Sequence, residues 1–198
     1  MEIFDHVLAK ISELDSDYAT KLVAIDGRGG SGKSSFTKAL VSINPEYQII
    51  QIDHFPCTAE DYAFHDSGTQ TRIDTSRIIN EAIEPLLAGD IARYSTTCWW
   101  GSNKQQNALS VKPEGVVLLE GCYALLPILR KYYSYSIWID CAASVALKRA
   151  IKRDGEESRE AWENAYYLNE ESYIKKFNPK ESANLIVENN GESFKAVI

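Results

Sequence analysis

A three-layer α/β fold with a mostly parallel central sheet is what the sequence predicts, and three observations predict it. Short apolar runs alternate with amphipathic helical patterns from one end of the chain to the other. The run Val116-Val117-Leu118-Leu119 is apolar throughout, as a strand covered on both faces must be. A glycine-rich turn, Gly27 to Gly32, stands between a strand pattern and a helix pattern, where an open parallel sheet gathers its ligand. The 198 residues suffice for one substantial core, so a single domain over 1–198 is expected.

Composition narrows the function. With 44% hydrophobic and 25% charged residues, and no apolar run long enough to cross a bilayer, the chain reads as an ordinary globular protein with no membrane partner. A net charge of -7 argues against a nucleic-acid partner, which needs a basic face. The opening residues Met1-Glu2-Ile3-Phe4-Asp5 lack a secretory layout, which leaves the cytoplasm as the expected location. Cys57, Cys98, Cys122 and Cys141 are widely spaced, form no zinc-type cluster with His6, His54 or His65, and are expected to be reduced and mostly buried.

The chemistry starts at Leu22-Val23-Ala24-Ile25-Asp26, a strand that feeds Gly27-Arg28-Gly29-Gly30-Ser31-Gly32-Lys33-Ser34-Ser35. Gly27, Gly32, Lys33 and Ser34 fit the G-x-x-x-x-G-K-[ST] spacing, in which backbone N–H groups wrap a polyphosphate and a helix aims its positive end at the same anion. Gly27, Gly29, Gly30, Ser31, Gly32, Lys33, Ser34 and Ser35 are therefore the expected nucleotide-binding residues. Lys33 would reach the β- and γ-phosphates, and the Ser34 hydroxyl would hold Mg²⁺. Gly27, Gly29 and Gly32 also spell a dinucleotide-type G-x-G-x-x-G with Asp53 downstream, but a charged Lys33 after the third glycine would point into a tight helix–sheet contact. The Lys-Ser pair decides for a nucleoside triphosphate. The loop lysine is expected to face solvent until nucleotide arrives, so that Lys33→Ala stays folded.

The rest follows in chain order. Ile3, Phe4, Val7, Leu8, Ile11 and Leu14 mark an amphipathic first helix, and Phe36, Ala39, Leu40 and Ile43 mark the helix after the loop. Tyr47 to Ile52 reads as a strand that delivers Asp53 to the sheet edge, as general base, metal-linked acid or plain turn residue. Thr58 to Ile73 reads as a substrate-covering loop with Asp66 and Arg72. Asp74 then caps a helix through Leu87, bent at Pro85 and ended by Gly89. Tyr94, Trp99 and Trp100 either stack on a base or seal the core edge, and Gly101 to Gln106 reads as a loop tip. Val116 to Leu119 delivers Glu120, placed to orient Mg²⁺, with a structural strand-end acid as the alternative. A strand at Tyr135 to Ile139 and a helix at about Ala143 to Asp154 come next. Arg153 and Arg159 flank a glycine-containing turn, a lid segment at about 153–160; they either suit the helix dipole or cover charge on a transferring phosphoryl group. A helix over about Glu160 to Lys176 and a strand Leu185-Ile186-Val187 complete the alternation.

Taken together, Ile25 through Ser35, Asp53-His54-Phe55, Val117 through Gly121, Arg153-Asp154, and Pro179 with Ala183 through Val187 resemble, in order, the uridine kinase and phosphoribulokinase group of P-loop kinases. The resemblance implies a three-layer P-loop fold and transfer of the γ-phosphoryl group of MgATP to a hydroxyl of a small molecule, most readily a nucleoside such as uridine. It implies Asp53 as base, Lys33, Arg153 and Arg159 as catalytic cations, Ser34, Glu120 and Asp53 at the metal, and Asp66 or Asp74 on the sugar hydroxyls. Arg72, Tyr94 and Trp99 join them as substrate-binding candidates. Pro56 after Phe55, Cys98-Trp99 in the hairpin and Ser158-Arg159-Glu160 in the lid depart from the uridine kinase pattern. Another acceptor, such as pantothenate, a sugar phosphate or a vitamin nucleoside, stays open, as do a regulatory ATPase and a homo-oligomer.

Overall fold

The computed structural model describes residues 2–15, 18–57, 73–96, 107–191 and 193–197. The loop with Asp66 and Arg72, and the hairpin tip with Trp99, lie outside them. The first helix, α1, spans Glu2–Ser12, strand β1 Thr20–Gly27, helix α2 Lys33–Ile43 and strand β2 Gln48–Gln51. Ile52–His54 is a single 3₁₀ turn, so Asp53 follows the strand rather than ending it. After the undescribed loop, an α turn Thr75–Arg77, a π-type segment Ile78–Ile83 and an α segment Glu84–Ala88 run as one helix. Pro85, which has no N–H to give the preceding turn, lies next to the widened segment, and Gly89 ends the helix at φ +83°.

Strands β3 Ala92–Thr96 and β4 Asn107–Val111 form an antiparallel hairpin apart from the main sheet. Then come β5 Gly115–Glu120, a short helix Pro127–Arg130, β6 Tyr135–Asp140 and a helix Ala143–Asp154. The last third holds a helix built from Arg159–Ala161, a π-type segment Trp162–Tyr166 and Tyr167–Phe177. It ends with Pro179–Ser182, β7 Leu185–Glu188 and β8 Lys195–Val197.

The main sheet runs β2-β5-β1-β6-β7-β8, parallel except for β8. β1 and β5 alternate their side chains between two cores. Leu22, Ala24, Val117 and Leu119 face one that also takes in Ile52, Phe55, Ile78, Ala92 and Tyr173. Val23, Ile25, Leu118 and Val116 face the other, with Val7, Ile11, Phe36 and Leu40 from α1 and α2. The sheet is therefore covered on both sides, and its middle strands are apolar for that reason. Among the described residues no helix is long and apolar enough to cross a membrane.

Register places the site. β5 pairs with β1 so that Glu120 stands level with Ile25, and with β2 so that it stands level with Gln51. The chain thus leaves three neighbouring strands at one height, carrying Gly27, Asp53 and Glu120 to one edge. Helix α2, which begins inside the glycine loop, is fixed by an aromatic trio: Phe36 stacks on Phe4 at 5.1 Å and meets Phe194 edge-on at 5.1 Å. Phe36→Ala is expected to cost about 3–5 kcal/mol, since it opens a cavity where α1, α2 and the C-terminal segment meet. A urea titration would show this as a lower midpoint with an unchanged slope.

Candidate active site

A cleft of about 780 Å³ opens at this edge. Its floor is the glycine loop. Gly30 takes φ +81° and Gly32 +98°, and a Cβ on Gly30 would overlap the carbonyl oxygen of Ala146. Glycine is required there on both counts, because the backbone is left-handed and the neighbouring helix backbone leaves no room.

Lys33 is buried in the loop it follows, contrary to the solvent-facing position expected of it. Its Nζ donates to the carbonyl oxygens of Gly27 and Arg28, both at 2.9 Å, and approaches the Cys122 sulfur at 3.3 Å. Burial by itself would depress its pKa, but Cys122, Glu120, Glu170 and Asp26 around it raise it above the ordinary lysine value. Two loop carbonyls thereby gain a donor and the ammonium gains acceptors, the pairing that buried polar groups require.

The carboxylates around Lys33 are raised as well, in their case toward the neutral form. Burial raises Glu120, against the opposing pull of Lys33 and of Ser34, whose hydroxyl donates to Glu120 Oε1 at 3.1 Å. Burial likewise raises Asp26, although its carboxylate accepts from Gly27 N–H at 2.6 Å, Leu125 N–H at 2.8 Å and the Tyr173 hydroxyl at 2.6 Å. Ser34 and Glu120 supply hard oxygen donors side by side. Among the described residues no group of three or more His, Cys, Asp or Glu could hold a metal alone. That set fits Mg²⁺, which keeps waters and takes much of its coordination from substrate phosphates.

The other predicted residues sort clearly. Asp53 is exposed and lines the cleft with Ser35 and Glu120. Arg153 also lines it, paired with Asp154 through two bonds of 2.6 and 2.8 Å and lying over the Trp162 ring at 5.8 Å. Arg159 does not. It starts its helix and is held by Glu156 at 2.8 Å and Glu163 at 3.0 Å, on a separate depression with Lys148 and Lys152. Positions three before and four after it on the same helical face supply those partners, so local pairing takes it away from the cleft.

Asp74 acts as the helix cap, accepting the Arg77 N–H at 3.0 Å, and is not among the residues that line the cleft. Tyr94 is buried, its ring 4.7 Å from Phe55, and burial pushes its hydroxyl up to about 12. Of the two readings open for Tyr94, its position in the core fits the one in which it seals the edge.

Sequence patterns did not point to Asp26, Cys122, Trp162, Glu170 or Tyr173. Asp26 could have been noticed as an acid inside an apolar strand. Cys122 follows β5, and the other three come from the helix ending at Phe177, which grips the loop repeatedly. Glu171 pairs with Arg28, Glu170 Oε1 accepts the Gly29 N–H at 3.0 Å, and Trp162 lies where a Gly29 side chain would be.

No protein-family model matches the chain. A uridine kinase from Aliivibrio salmonicida is 25% identical over 202 residues, covering 90% of this chain and 91% of that protein. A uridine kinase from Streptococcus pneumoniae is 31% identical over 147 residues, covering 69% of this chain and 68% of that one. The chain belongs to the uridine kinase-like group of P-loop kinases.

The fold agrees with that placement. A solved structure described as a possible uridine kinase from Bacillus stearothermophilus matches with TM-score 0.70 at 15% identity, over 94% of this chain and 99% of that one. A D-glycerate 3-kinase from Cryptococcus neoformans matches with TM-score 0.61 at 12% identity, over 99% and 98%. As a uridine kinase-like protein the chain is a P-loop kinase, and its kinase relatives imply ATP and a small-molecule substrate.

Two loop-side predictions follow. Gly30→Ala should cost well over the roughly 1–2 kcal/mol of left-handed strain, because it also displaces backbone. Gly89→Ala, at φ +83° with nothing within 4 Å of its Cβ, should cost only that strain; paired thermal melts check the contrast. Tyr173→Phe should cost about 1–3 kcal/mol, since it leaves the buried Asp26 carboxylate short of a donor, and the same melts read it.

Proposed function

We propose that the chain transfers the γ-phosphoryl group of MgATP to a hydroxyl of a nucleoside such as uridine, within one domain. The observation that carries this reading is the convergence of Lys33, Ser34, Glu120 and Asp53 on a single cleft. The nucleoside is supported by the relatives named uridine kinase.

In this reading the loop amides and Lys33 Nζ take the polyphosphate, with Lys33 exchanging a carbonyl contact for the β- and γ-oxygens. Mg²⁺ would be held by Ser34 Oγ and, through water, by Glu120, and when bound it neutralises charge on those oxygens. Asp53, exposed in the cleft, accepts the proton of the attacking hydroxyl. Arg153 is the cleft-lining guanidinium of the lid, and it would turn its planar fork from Asp154 to the transferring group. Cys122 and Cys141 are free thiols, which suits a cytoplasmic enzyme.

The test is ADP release from MgATP with and without a panel of nucleosides, pantothenate, glycerate and sugar phosphates, with Asp53→Asn as the blank. Uridine or cytidine should stimulate release, and the variant should lose that stimulation by about 10²–10⁴-fold while still binding MgATP. Stimulation by a different compound alone would remove the nucleoside from the reading. No stimulation, with the variant turning over ATP like the parent, would remove the kinase mechanism. Lys33→Ala should lose transfer by about 10²-fold or more. It should also lose about 1–3 kcal/mol of stability, because the Gly27 and Arg28 carbonyls are left unpaired.

A further inference from the structure

One acid in the cleft has no part in the transfer step just described. Glu170 is buried, and its Oε1 accepts the Gly29 N–H at 3.0 Å and lies 3.5 Å from the Cys122 thiol. Burial raises its pKa, while Lys33 and the Gly29 N–H pull it back down. A buried carboxylate against a loop built to receive an anion is the point to explain. Such a loop presents its N–H groups to a phosphate, and here a side chain of the protein already occupies one of them.

The end of the cradle that Glu170 occupies can be read from its neighbours. Lys33 Nζ is anchored on Gly27 and Arg28, the two residues just before Gly29, and Cys122 lies between Lys33 and Glu170. The carboxylate is therefore at the lysine side of the loop, the side that meets the β- and γ-phosphates. A terminal phosphate and an ionised carboxylate cannot share that place, because like charges a few ångströms apart in a partly dry site repel strongly.

We infer that Glu170 stands in the position of the terminal phosphate and sets the preference of the site between nucleoside triphosphates and diphosphates. This rests on the phosphate-loop reading given above. A triphosphate must displace the carboxylate from Gly29, whereas a diphosphate leaves it in place. Displacement also reaches outward, since Glu170 shares its helix with Glu171 on Arg28, Tyr173 on Asp26 and Trp162 over Gly29. A terminal phosphate that moves Glu170 therefore loosens that helix from the loop, and its departure lets the contact re-form.

The experiment is calorimetric titration of Glu170→Gln, Glu170→Ala and the parent with Mg²⁺ and either ADP or the non-hydrolysable β,γ-imido analogue of ATP. Both variants should bind the triphosphate analogue about tenfold more tightly or better, with ADP affinity changed less than about twofold. An equal change for both nucleotides, no change, or weaker triphosphate binding would overturn the proposal and leave Glu170 a strut of the loop. Should neither variant fold, Glu170→Asp reads the same ratio, because it keeps the charge but falls short of Gly29. Lys33→Ala separates the two layers of the argument. If it binds both nucleotides as the parent does, or the parent binds neither, the phosphate-loop reading falls and the proposal with it. If binding depends on Lys33 and the ratio does not move in the Glu170 variants, the proposal alone falls.

Discussion

A buried ammonium group governs the arrangement of this site. Removing a cation from water costs several kcal/mol unless it is paired and hydrogen-bonded. Lys33 Nζ meets that demand with the carbonyl oxygens of Gly27 and Arg28 and with the nearby carboxylates of Glu120, Glu170 and Asp26. The dependence is mutual. Burial pushes each of those acids toward its neutral form, and Lys33 is among the groups that oppose the push in every case. Loop shape, acid ionisation and lysine position therefore form one electrostatic unit.

The surrounding fold supports this unit from several directions. β1 lies between β5 and β6, so the loop leaves the sheet at its middle, with Glu120 and Asp53 beside it by register. From below, the aromatic trio of Phe4, Phe36 and Phe194 fixes the helix that starts at Lys33. From the C-terminal side, Asn189 donates to the Ser31 carbonyl at 2.7 Å, and Arg149 ties Asn189 and Gly191 to the Ala143–Asp154 helix. The helix ending at Phe177 covers the remaining side. Its Glu170 and Tyr173, one turn apart, reach the loop residue Gly29 and the strand residue Asp26.

How much of this could be read from the sequence follows from how local each signal is. The loop, the helix from Ala143 to Asp154 and the strand before Glu120 are specified by residues within their own windows, and the structure has them where the patterns put them. The Tyr47 to Ile52 run is shorter as a strand, because Ile52–His54 turns into a 3₁₀ bend that presents Asp53. β8 was not foreseen: a three-residue edge strand carries too little alternation to register. The burial of Lys33, and with it the burial of Glu170, depends on a helix more than a hundred residues downstream closing over the loop. In sequence, Asn169-Glu170-Glu171-Ser172 looks like a solvated face. The π-type segment at Trp162–Tyr166 rotates that face by an amount no fixed helical period anticipates.

Charge balance in the cleft explains why a divalent cation belongs to the reading independently of family membership. Among the described residues the lining holds Lys33, Lys38, Arg149 and Arg153 against Asp53, Glu120, Asp154 and Glu170, four charges of each sign. Arg153 is already engaged by Asp154, and Arg149 by the carbonyls of Asn189 and Gly191. A described lining that begins near neutrality, with Lys33 also held by the Gly27 and Arg28 carbonyls and so three of its four cations committed, has little positive charge to offer a polyphosphate. Glycine-loop amides and the N-terminus of α2 supply partial charges only. The remaining deficit is met if the nucleotide brings its own dication to the Ser34–Glu120 corner and Glu170 leaves Gly29, two changes that lower the negative charge facing the phosphates. Metal binding and displacement of the carboxylate are thus complementary answers to one electrostatic constraint, set by how the chain buries Lys33.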